Sequence, residues 1–283
     1  MTRGAAPRRD PGREAGTETA AQAGTTGPVR DGGARAVSRP DPWPRVAAAG
    51  LLAALAAAAA DFSAGPGTRM GWWPFRTGFD ILRWAALGGL AGAAVSFAAG
   101  LATRSGPGRR GLRVAAAGLL VGLSAAGVPW SYGRLAKAVP AIHDITTDTE
   151  HPPEFVALLA ARREAPNGAA YGGPGVAAKQ RAAYPAIRPA LLGIPPGEAF
   201  DRALAAARKA GWRIAAADRA DGRIEATATT FWFGFKDDVV VRIAPDGSGS
   251  RVDVRSVSRV GKSDLGTNAR RIREYLKALS SPR

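Results

Sequence analysis

Between Ile142 and Glu154 the sequence gathers His143, Asp144, Asp148, Glu150, His151 and Glu154. Neutral imidazole nitrogens and carboxylate oxygens suit zinc or manganese. The segment is therefore a candidate metal site, with His143, Asp144 and Asp148 as donors, and a candidate centre for metal-dependent hydrolysis. The spacing argues the other way. The two histidines are eight positions apart and form no helical i, i+4 pair. The competing reading is an ordered loop in which Asp144 and Asp148 accept hydrogen bonds from nearby backbone amides and Pro152-Pro153 opens a helix, Pro153 to Arg163. His143 and His151 are the only histidines, and there is no cysteine. Three-histidine metal sites, thiolate-ligated metals, disulfide frameworks and thiol nucleophiles are thereby excluded.

Three other clusters invite a functional reading. Phe231-Trp232-Phe233-Gly234-Phe235 reads as an aromatic hairpin. Neighbouring strand residues point to opposite faces, so one large aromatic is expected on the sheet face away from the helices, unless residues 165–190 cover it. Arg223, Glu225, Thr227 and Thr229 alternate along one strand, Arg251, Asp253 and Arg255 along another, with Arg242 between them. A solvated face of cross-strand ion pairs, each contributing about 0.2–1 kcal/mol, accounts for this pattern; a basic groove for an anion is the functional alternative. Finally, Arg259, Lys262 and Ser263 precede a helix. Gly261-Lys262-Ser263 has the ending of a phosphate-binding loop, but Ser256 occupies the position of the required earlier glycine, and no parallel strand–loop–helix unit surrounds it. A helix start flanked by Arg259 and Lys262 still suits a carboxylate or phosphate. No nucleophile–base pair and no G-x-S-x-G elbow is present, so the sequence points away from catalysis and asks for no cofactor.

The elements that must position these residues follow from hydropathy. The chain has 283 residues and a net charge of +16. Residues 1–45 hold eight arginines, five acids and no apolar period, and are expected to be a disordered basic tail. Residues 46–132 contain three apolar blocks, expected as transmembrane helices at about 46–65, 84–102 and 114–130. Trp72, Trp73, Trp130 and Tyr132 lie at their edges, where amphipathic rings favour the membrane interface. Arginines crowd the tail and the loop Arg104, Arg109, Arg110 and Arg113. The positive-inside rule then places both in the cytoplasm and, after three crossings, the rest of the chain in the periplasm of a Gram-negative cell. The same rule explains the excess charge without nucleic acid.

Residues 133–283 carry 24 basic and 16 acidic side chains, a size and composition for one soluble domain. Residues 165–190 read as an extended loop. Phe200, Ala203, Leu204 and Ala207 repeat at helical spacing, and Gly211 ends that helix. Four strands joined by short turns follow, about 212–217, 223–232, 239–244 and 251–258. A last amphipathic helix starts near Asp264. The expected class is α+β: a two-layer domain in which a four-stranded antiparallel meander is flanked by helices on one face.

Ala141 to Asp148 with Pro152, Pro153 and Phe155, then Ile224 to Thr227, Phe233 to Asp238, Arg255 to Gly261 and Asp264 to Ile272 resemble an uncharacterised bacterial family catalogued as domain of unknown function 1499. The resemblance covers the whole region after the apolar blocks. It implies a domain without a settled biochemical activity, in some members preceded by membrane segments. That pattern has no histidine at position 151.

The functional expectation is a protein of the bacterial inner membrane and cell envelope, in contact with the lipid bilayer, whose periplasmic domain binds an envelope protein or a small amphiphilic or anionic, lipid-like ligand. The expected surface comprises His143, Asp144, Asp148, Trp232, Phe233, Phe235, Lys236, Arg259, Lys262 and Asn268. The segments Ile142–Phe155, Phe233–Asp238 and Arg259–Asn268 are expected at one end of the sheet, because strands two and four run in the same direction.

Overall fold

A computed structural model describes residues 41–103 and 109–280. The expected basic tail lies outside these residues up to position 40, as do residues 104–108 of the arginine loop between the second and third apolar blocks, Arg104 among them.

Three long helices come first: α1 (Trp43–Arg69), α2 (Phe75–Thr103) and α3 (Arg109–Ala138). Each is long and apolar enough to cross a membrane. They extend beyond the apolar blocks into the flanking Trp, Thr and Arg residues. Small residues face inward: Ala47, Gly50, Ala54 and Ala57 on α1, and Gly89, Gly92, Ala93 and Ser96 on α2, are buried. Leu52, Leu87, Leu90, Phe97 and Leu120 point outward. Such an arrangement lets backbones approach closely. A Cβ on Gly92 would lie 2.8 Å from the Ala54 nitrogen and 3.0 Å from the Gly50 oxygen.

The domain follows as β1 (Asp144–Thr146), α4 (Leu159–Arg163), α5 (Gly173–Ala183), β2 (Ala190–Leu192), α6 (Pro196–Lys209), β3 (Arg213–Asp218), β4 (Arg223–Thr229), β5 (Lys236–Asp246), β6 (Gly249–Ser258) and α7 (Thr267–Ser280). The meander β3–β4–β5–β6 is present as expected, but the sheet has six strands. Both β1 and β2 pair antiparallel with the outer edge of β6, at Arg255–Val257 and Ser250–Val252 respectively. The expected loop 165–190 contains α5. The helix expected from Pro153 is confined to α4, because Val156, Ala157 and Leu158 turn their amides toward Glu225.

Alternation along the strands divides the sheet. Ile224, Ala226, Val239, Val241, Ile243, Val252 and Val254 face α6 and α7, where Phe200, Ala203, Ile272 and Leu279 complete the main core. Each large apolar side chain so buried contributes about 1.5–3 kcal/mol. Trp212 stacks on Tyr275 at 4.7 Å, and the Tyr275 hydroxyl donates to the Ala203 carbonyl, tying α7 to α6. Phe155, Leu158, Val240 and Val257 form a smaller cluster on the opposite face.

Candidate functional site

Three segments converge at the C-terminal end of β6. The His143 carbonyl accepts from the Ser258 amide and from Asn268 Nδ2, both at 3.0 Å. Asn268 Oδ1 accepts from Ser256 Oγ at 2.7 Å, and its own amide donates to Asp264 at 2.8 Å. Burial pushes the Asp264 carboxyl up, although amide hydrogen bonds from Asn268 and Gly266 and the Arg271 charge oppose that shift. The Arg259 amide donates to the Lys236 carbonyl, while its guanidinium grips Asp238 through two 2.9 Å bonds. Asp237 takes Arg271 at 2.6 Å. His143, Lys236, Arg259 and Asn268 are therefore neighbours, His143 and Lys236 through their main chains. Lys262 is exposed in the turn before α7. Asp148 lies further along β6, beside Arg242 and Arg251. The sheet around Gly261-Lys262-Ser263 is wholly antiparallel, so a phosphate-binding loop has no framework there.

The polar sheet face is not solvated. Residues between β1 and α5 fold over it, and Glu225, Thr227, Asp238, Asp253 and Arg255 are all buried. A charge out of water must be matched by opposite charge or hydrogen bonds, and here each is. Arg255 binds both oxygens of Asp144, at 3.0 and 2.8 Å, and is flanked by the Phe155 and Tyr171 rings at 5.4 and 5.5 Å. Arg162, with no exposed surface, reaches Asp238 at 3.4 Å and the Val257 carbonyl at 3.1 Å. Desolvation draws its pKa down while Asp238 draws it up, with a net lowering. Burial, with Asp144 nearby, pushes the Tyr171 hydroxyl up.

At the other end of this face, Asp148 and Asp253 share Arg242 and Arg251 at 3.0–3.1 Å. Desolvation works against the charged form of Asp148. The amides of His151 and Glu150, with Arg251 and Arg242, outweigh it and hold the carboxyl below its ordinary range. Asp144 and Asp148 are thus arginine partners on separate parts of the face. Among the described residues no group of three His, Asp or Glu side chains is arranged to hold a metal ion, which removes the support for a metal-dependent hydrolase. An open groove of about 540 Å³ does adjoin this region, bounded by His151, Pro152, Pro153, Glu154, Arg223 and Arg242.

The aromatic segment behaves differently from either expectation. β4 ends at Thr229, and 230–235 is a loop. Neither exposed on the sheet nor covered by residues 165–190, it packs against α1 and α2. Trp232 meets Phe62 edge-on at 5.1 Å, Phe233 lies 5.2 Å from Phe79, and Phe235 lies 5.9 Å from Phe75. Phe233 and Phe235 stack on each other at 5.3 Å. Arg69, in the last turn of α1, donates to the Thr230 and Phe231 carbonyls at 3.1 and 2.6 Å. Gly65 leaves the space that the Trp232 indole occupies. The sequence marks the aromatics and places Glu225 in an alternating strand and a family-like segment, but nothing there shows it as the organiser of the 156–158 amides, and Arg162 lies in no motif.

No curated protein matches this chain. Residues 144–279, from β1 to the last turn of α7, match the family described as "Protein of unknown function (DUF1499)", so the domain that follows the three apolar helices is similar to that family.

Proposed function

We propose that this is an inner-membrane protein of the bacterial cell envelope, its N-terminus cytoplasmic and its C-terminal domain periplasmic, that works by binding rather than by catalysis. The observation that carries the reading is the contact between the 230–235 loop and the ends of α1 and α2. It holds the domain against its anchor, so that whatever the domain binds is held at the membrane surface. The ends of α1 and α3 and the start of α2 lie on the domain's side, as three successive crossings require. Outward leucines and inward glycines on those helices suit a lipid surround. Arg104 between α2 and α3, with Arg109, Arg110 and Arg113 in the first turns of α3, favours the cytoplasm for that end of the helices.

The ligand is an envelope protein or a small amphiphilic or anionic molecule. The groove beside Arg223 and Arg242 gives the anionic case no particular support, because both arginines are paired with acids and Glu150, Glu154 and Asp221 share its wall. Topology is tested by alkaline phosphatase fusions: one after Arg163 is active and one within 104–110 inactive. The reverse pattern overturns the orientation. Binding is tested by native mass spectrometry of the full chain released from membranes. A bare monomer in every preparation overturns it.

A further inference from the structure

Around Trp232 the aromatic contact does not end in protein. Phe231 stands 6.4 Å from the Trp232 ring and is 82% exposed; Phe62, on the other side of Trp232, is 68% exposed. The three rings form a continuous apolar surface that begins on α1 and ends at the tip of the domain loop. Its depth follows from the helices. Asp61 is the first acid after the apolar run of α1, and Phe62 is the next residue. On α2, Trp84 opens the uncharged run, and Phe79 lies five residues, roughly 7 Å, outside it. The polar interfacial layer of a bilayer is roughly 5–8 Å thick on each side of its hydrocarbon core. The loop that packs on Phe62 and Phe79 is therefore at the level of that layer, where aromatic side chains are enriched.

We propose that Phe231 is a lipid contact: its ring inserts among the phospholipids of the leaflet beside the domain, at the junction of glycerol and upper acyl chain, extending the Phe62–Trp232 surface. This rests on the membrane anchoring proposed above. The occupant is lipid because the patch is continuous with the outward apolar faces of α1 and α2 and lies at interfacial depth. The Arg69 guanidinium donates to the Thr230 and Phe231 carbonyls and so fixes the backbone on either side of the Phe231 side chain. The side chain is thus held out by a rigid support and needs no rearrangement to insert.

The chain has no cysteine, so single cysteines report without background. Full-length Phe231→Cys, Leu120→Cys and Ser248→Cys are labelled with a nitroxide and placed in vesicles of phosphatidylethanolamine and phosphatidylglycerol. Collision with oxygen, which prefers lipid, is compared with collision with a water-soluble nickel chelate. Leu120 is outward near the middle of α3 and Ser248 lies in the exposed β5–β6 turn. We expect the label at 231 to be shielded from nickel several-fold relative to 248 and open to oxygen, as at 120. Nickel access at 231 equal to that at 248, with 120 shielded, overturns the lipid contact and leaves the anchor standing. Shielding of 231 from both reagents also overturns it, in favour of a protein partner or a second copy. Nickel access at 120 overturns the anchor and the contact together.

Discussion

Arg255 holds Asp144 through two hydrogen bonds, Nε to Oδ1 and Nη2 to Oδ2, with both side chains almost fully removed from solvent. The pair staples β1 to the centre of β6 across the polar face. Removing one member strands the other charge in a dry site, at a cost of about 3–5 kcal/mol. Arg255→Met and Asp144→Leu should each lower the thermal midpoint of the full chain in detergent steeply. The double variant should recover much of the loss, because no charge is left unpaired. Additive losses would show that the two side chains act separately.

Glu225 accepts the amides of Val156, Ala157 and Leu158 at 2.9, 3.0 and 2.8 Å. These hydrogen bonds to a charged acceptor contribute about 1.5–3 kcal/mol each. Glu225→Gln keeps the shape but replaces one acceptor by a donor facing an N–H. We expect faster limited proteolysis within 150–165, with the meander still protected. Unchanged cleavage there would remove Glu225 as the organiser of that segment.

Asp148 gives the domain a pH dependence of defined sign. Its carboxyl is held below the usual range in the folded chain. It therefore contributes stability that is complete above the unfolded value of about 3.9 and fades as pH falls through the lower folded value. Asp148→Asn should be less stable than the parent at neutral pH, and the two melting curves should converge in acid. A difference that widened on acidification would reverse the sign and refute the assignment.

The anchor contact is tested by crowding. Gly65→Val places a branched side chain where the Trp232 indole sits. We expect red-shifted tryptophan emission and easier cleavage at Lys236, with the rest of the domain unchanged. Adding Trp232→Ala should remove most of the further effect of Gly65→Val, since the two residues contend for one space. An unchanged spectrum for Gly65→Val would mean that the loop does not rest on α1.

What the sequence discloses depends on whether a pattern is local. The apolar blocks, the α6 repeat and the meander are legible because each is a run of side chains with its own period. β1 and β2 have three residues each and exist because β6 offers them an edge; nothing within Ala190–Leu192 marks it as a strand. α5 hides in a Gly- and Pro-rich stretch and is fastened by Gln180, which bonds both the amide and the carbonyl of Thr146, at 3.0 and 2.6 Å. The alternation of charge along β4 and β6 is plain, but its burial is decided by a cover segment containing Pro152 and Pro153 with no regular period. Of the candidate surface, the convergence of His143, Lys236, Arg259 and Asn268 follows from strand direction and short turns. The partner of Trp232 does not, because it lies in another layer of the molecule, beyond the reach of any sequence period.

That last contact bears on how the protein comes into being. On the proposed topology the helices emerge and insert long before residues 230–235 are made, so α1 and α2 wait with Phe62, Phe75 and Phe79 uncovered until the far strand loop arrives. A chain begun at Gly133 would fold its sheet around the same core yet present Trp232, Phe233 and Phe235 to water with nothing to receive them. Such a chain should be sticky where the full protein is not, and detergent should restore its solubility.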